Sequence, residues 1–99
     1  MNKNIKKPRH LAVYEAIATV ESVDECIQLF DDLLSVAELR AMEQRYQVAQ
    51  MLDEGFVYSS ILEKTGASSA TISRVNRSLQ NAGDGYRTAF AKVREKDGQ

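Results

Sequence analysis

YSSILEKTGASSATISRVNR, Tyr58 to Arg77, spells two short amphipathic helices around a glycine turn. Gly66 supplies the backbone freedom that a steep turn between helices needs. Ile61, Leu62 and Ala67 fall where the two helices must touch, and Ile72 and Val75 recur at a spacing of three on the second. Ser68 or Ser69 can cap that second helix at its N-terminus. Away from Ile72 and Val75 it presents Ser69, Ala70, Ser73, Arg74 and Arg77. Ser68, Ser69, Ala70 and Thr71, at its start, are small enough to let the helix approach a base edge or a phosphate closely. Lys64, Arg74 and Arg77 can reach phosphates, which fix register and carry much of the affinity. No acid occurs between Glu63 and Asp84. The pattern predicts a helix-turn-helix over about residues 58–79, against the plainer reading of a helical hairpin with a glycine turn.

Outward from this segment the chain stays helical. Upstream, Leu11, Tyr14, Ile17 and Ala18 mark a first helix. Ser22 stands three residues before Glu25, and Ser35 three before Glu38, the spacing of a capping box at the start of a second and a third helix. The second carries an apolar stripe of Val23, Cys26, Ile27, Phe30, Leu33 and Leu34. The third, running to about Asp53 before Gly55, has Leu39, Met42, Tyr46 and Ala49 on one side. Ala41, Val48, Met51 and Leu52 widen that arc. An arc so broad in so short a chain calls for neighbours on more than one side, which predicts a dimerisation core in helices one to three. Downstream, Asn81 and Gly83 end the recognition helix, and Tyr86, Ala89, Phe90 and Val93 lie on one face of a last helix near residues 86–94. The fold expected is all-α, with about six helices.

The 99 residues, 43% hydrophobic and 27% charged, suit one small globular domain over residues 11–99. Residues 1–10 read as a flexible basic arm, with Lys3, Lys6, Lys7 and Arg9 and no acid. Residues 11–54 carry ten acids against Arg40 and Arg45, while residues 55–99 carry seven bases against four acids. This distribution, hidden in a net charge of −1, would keep phosphate binding to the ends of the chain. One cysteine, Cys26, and the lack of a long apolar stretch lead to the expectation of a cytoplasmic protein without a membrane partner. Enzyme chemistry finds no constellation. His10 is the single histidine, and the pairs Asp31-Asp32 and Asp53-Glu54 point to different helix faces. Neither a metal site, a cofactor loop nor a nucleophile elbow can be assembled.

TGASSATISRVNRSL resembles the recognition segment of the tryptophan repressor family, and LLSVAELRAMEQRYQVAQMLDEG resembles the helix that leads into that family's DNA-reading head. The likeness runs from about Leu33 to Leu79, with one residue fewer before Gly66 than in the enteric repressor. It is greater still to the YerC/YecD-type group of repressor-related proteins. The resemblance implies an intertwined homodimer that binds double-stranded DNA and regulates transcription as a repressor. It also implies a pocket for a small-molecule effector, with Arg45 and Arg74 at the positions of the two ring-clamping arginines. Ser78 matches the hydroxyl near the second arginine, and Ser35 the place of a threonine near the ligand. The residue after the second arginine is glycine in that repressor and Val75 here. A branched side chain would crowd an indole ring, which argues against tryptophan as the effector. The rival reading is a dimeric helical adaptor without specific DNA binding.

Overall fold

In a computed structural model, residues 8–98 are described, and among them six helices and no strand are found. Lys3, Lys6 and Lys7 of the expected arm lie outside the described residues. The chain divides into two units, Met1–Arg40 and Ala41–Gln99.

The first unit holds α1 (Leu11–Ala18), α2 (Val23–Leu33) and the beginning of α3 (Val36–Asp53). Thr19 closes α1 by donating its hydroxyl to the Ala16 carbonyl at 2.7 Å. Ser22 caps α2, accepting the Glu25 N–H at 3.1 Å, and the Glu25 carboxylate reaches back to the N–H of Glu21. At α3 the box is reciprocal. The Glu38 N–H donates to Ser35 Oγ at 3.1 Å, and the Ser35 N–H donates to Glu38 Oε1 at 2.8 Å. These bonds, the backbone one first, hold the Glu38 carboxyl below the usual carboxylate range. Each device satisfies N–H groups that a helix start leaves without partners.

What this unit does not do is bury its apolar residues. Neither α1 nor α2 contains a buried residue. Val23 is 74% exposed and Ile27 51%, although both lie on the expected stripe of α2. Cys26 and Phe30 are half-buried.

The second unit has a core of its own. Val48, Ala49 and Met51 of α3 are buried with Ile61 of α4 (Tyr58–Thr65) and Ala67 of the turn. Ile72, Val75 and Leu79 of α5 (Ser69–Asn81) and Phe90 of α6 (Asp84–Asp97) complete it. Tyr46 and Tyr86 pack on its edge. The Tyr46 ring meets Phe90 edge-on at 5.4 Å between centroids, and Tyr86 stacks on Phe90 at 6.0 Å. Part of the breadth of α3's apolar arc is therefore used within one chain, since Val48, Ala49 and Met51 face α4, α5 and α6 rather than a second copy. Exposed apolar side chains remain on α1 and α2, and also at Val36, around Phe56–Tyr58 and at Val93; Leu62, expected at the contact between α4 and α5, is 45% exposed.

Candidate nucleic-acid interface

The turn between α4 and α5 is built from short-range bonds that the sequence encodes almost letter by letter. Gly66 ends α4 in the left-handed region, with φ of 72°, and its N–H donates to the Leu62 carbonyl at 2.9 Å. Thr65 folds its hydroxyl back to the Ile61 carbonyl at 2.7 Å and accepts the Ala67 N–H at 3.1 Å. Ala67 is buried, which pins the turn to the core. Ser68, rather than Ser69, is the cap of α5, accepting the Thr71 N–H at 3.1 Å. One bond comes from farther away: Gln44 of α3 donates its side-chain amide to the Thr65 carbonyl at 3.1 Å. It fastens the end of α4 to α3 across 21 residues of chain.

Held this way, α5 buries one face and offers the other. At about 100° per residue, Ile72, Val75 and Leu79 share the buried side, and Ala70, Ser73, Arg74 and Arg77 fall opposite, with Ser69 at the flank. Lys64, Ser68, Ser69, Ala70, Arg74 and Arg77 are exposed, and Ser73 is half-buried. Thr71 is half-buried too, and its hydroxyl shares a 3.1 Å hydrogen bond with that of Ser68. The first turn of α5 contains no acid, and Lys64 stands in the last turn of α4. A helix start of small side chains, open N–H groups and neighbouring cations is suited to a polyanion.

The candidate effector residues belong to different parts of the chain. Ser35 belongs to the first unit and its hydroxyl is engaged in the α3 cap. Arg45 and Arg74 are exposed in the second unit. Ser78 lies on the rim of a wide-mouthed cavity of about 410 Å³, shared with Tyr46, Tyr86, Gly83 and Gly85. Neither arginine lines it. Val75 is 3% exposed and points into the core.

Two residues that sequence reading passed over also shape the head. Gln44 gives no local signal, because its partner is distant in the chain. Arg87 of α6 donates from Nη2 to the Leu79 carbonyl at 2.6 Å and from Nη1 to the Ala82 carbonyl at 3.1 Å. Gly83, which the sequence marks as a stop signal for α5, adopts a left-handed φ of 69°.

Comparison with known proteins agrees with this geometry. The family model of the Trp repressor protein matches residues 9–94. The uncharacterised YerC protein of Bacillus subtilis (strain 168) is 41% identical over 85 residues, spanning 86% of this chain and 82% of that protein. Among solved structures, a TrpR-like protein from Eubacterium eligens ATCC 27750 superposes with a TM-score of 0.83 at 41% identity, covering 93% of this chain and 95% of that one. A Trp repressor candidate from Staphylococcus aureus gives 0.79 at 45% identity, covering 83% and 82%.

Proposed function

We propose that this chain, which belongs to the Trp repressor protein family, is a sequence-specific DNA-binding regulator that represses transcription as a homodimer. The observation that carries the reading is the split personality of α5. Its inner face is locked by Ile72, Val75 and Leu79, and its outer face sets Ser69, Ala70, Ser73, Arg74 and Arg77 free of any acid from Lys64 to Gly83. Arg74, Arg77 and Lys64 anchor phosphates, while the small residues at the start of α5 meet base edges directly or through water. Two such helices from a dimer would enter successive major grooves about 34–36 Å apart. Neither catalysis nor a membrane enters this reading. Among the described residues no cluster of metal-binding side chains occurs, and no helix is long and apolar enough to cross a membrane.

The exposed Val23 and Ile27 of α2, with no buried residue in α1 or α2, support the second copy as their cover. Sedimentation at micromolar concentration should give about twice the chain mass of 11.1 kDa. Ile27→Asp should leave monomers or unfold the chain, because a charge buried without a partner is costly. A wild type that sediments as a well-folded monomer would refute the dimer.

DNA binding is tested by electrophoretic shift of genomic fragments over a series of salt concentrations. The shift should weaken steeply with salt, as counterion release requires. Arg77→Ala should weaken binding to all fragments alike and lower the salt slope by about 1. A wild type that retards no fragment at low salt would leave the adaptor reading in its place.

No effector is needed for the geometry described. If one acts here, the burial of Val75 beside Arg74 favours an effector other than tryptophan, since a branched side chain crowds the room a ring would want.

A further inference from the structure

We infer that Arg87 is the positioning residue that sets the DNA-reading helix at its working angle, by clamping the carbonyls at the C-terminus of α5 to α6. The inference rests on the DNA-binding reading of α5. An α-helix ends with carbonyls that have no partner along its own axis. Many helices satisfy them through a glycine closure made of backbone alone. Here the chain leaves α5 through Ala82 and Gly83, and a side chain does the work. The Arg87 fork takes the Leu79 carbonyl at 2.6 Å and the Ala82 carbonyl at 3.1 Å. Its own N–H donates to the Gly83 carbonyl at 2.9 Å, so the residue is tied to the same turn by its backbone.

Three features make this a clamp with a direction. Leu79 is 3% exposed, so the carbonyl that Arg87 grips belongs to a residue fixed in the core. Gly83 is required for the approach: a Cβ there would collide with the Leu79 carbonyl oxygen and stand 2.6 Å from Arg87 Nη1. The guanidinium also places a cation at the negative end of the α5 dipole, where it is favoured. The apolar contacts of Ile72, Val75 and Leu79 hold α5 down through non-directional attraction, and two hydrogen bonds from one rigid fork add a directional restraint against rotation. Arg77 lies just two residues before Leu79, so a rotation there swings the phosphate-contacting side chain directly.

The test uses a duplex enriched by the wild-type protein from a random-sequence pool, together with a scrambled duplex. Arg87→Met keeps the stem and removes every donor, and Arg87→Lys keeps the charge without the fork. On the enriched duplex Arg87→Met should lose about tenfold or more in affinity. On the scrambled duplex the loss should stay below about twofold, because non-specific binding needs charge and not orientation. The salt slope should be unchanged on both. Arg87→Lys should recover part of the discrimination, and should keep the proposal testable if the methionine variant melts. A salt slope lowered by about 1 on both duplexes would make Arg87 a phosphate ligand and overturn the proposal. So would an equal loss on both duplexes in step with a lower Tm, the mark of a merely structural role, or no loss at all. If the wild type enriches no sequence, the failure lies with the DNA-binding reading beneath. Enrichment by the wild type with an indifferent Arg87→Met would sink the clamp alone.

Discussion

Ser69→Glu is expected to abolish DNA binding in a protein that still folds, with affinity falling by at least about 100-fold. Ser69 is the first residue of α5 and is exposed. It has no part in the cap, which is made by Ser68 and the Thr71 N–H. A glutamate in the first turn of a helix interacts favourably with the helix dipole, so stability should hold or rise slightly. The same charge would sit where phosphates and base acceptors must come, in a stretch that otherwise carries no acid from Lys64 to Gly83. Ser69→Ala, which removes a hydroxyl without adding charge, should cost far less. The two effects are separated by measuring the thermal melt and the shift titration on the same preparation. Unchanged affinity with Ser69→Glu would mean that α5 is not the element that meets DNA.

Val75→Gly should lower Tm by about 12–24 °C, while millimolar L-tryptophan should change neither the melt nor the DNA affinity of the wild type. The size follows from where Val75 sits. At 3% exposure it belongs to the core with Ile72 and Leu79, so its deletion forfeits burial and leaves a hole. Together with the lower helix propensity of glycine, this comes to about 3 kcal/mol. In a domain of this length each kcal/mol moves Tm by about 4–8 °C. Differential scanning fluorimetry of both proteins, with and without tryptophan, reads both parts. A glycine variant that melts like the wild type would contradict the packing of Val75. Calorimetric binding of tryptophan to the wild type would contradict the assignment of that space to the core, and would make the chain an amino-acid sensor.

The helices were readable in advance because their boundaries are set by residues three or four apart. Ser35 with Glu38, Ser68 with Thr71, and Gly66 with Leu62 all act within one turn. A pattern search sees such pairs directly. The exposed side of α5 was readable for the same reason, since Ile72 and Val75 define the inner face by spacing; the structure adds Leu79 to it. What escaped depends on meetings between distant parts of the chain. Gln44 and Thr65 are 21 residues apart, and nothing about an isolated glutamine announces a carbonyl partner. Arg87 reads as one more surface cation until α6 folds back on α5. The 3.1 Å bond that the Ser68 hydroxyl donates to that of Thr71 is also a detail that spacing alone does not announce. The broad arc of α3 likewise suggested a partner chain, although Val48, Ala49 and Met51 find their neighbours inside their own unit.

The bareness of α1 and α2, helices of 8 and 11 residues with nothing buried, has a consequence for dosage. Helices this short are marginal in water by themselves. If a second copy supplies their cover, their folding is second order in protein, and Tm must climb as the preparation is made more concentrated. Newly made chains at low abundance would then present these helices uncovered, open to proteolysis, until enough partners accumulate. Such a regulator has a threshold built into its own synthesis: halving its expression removes more than half of its active form.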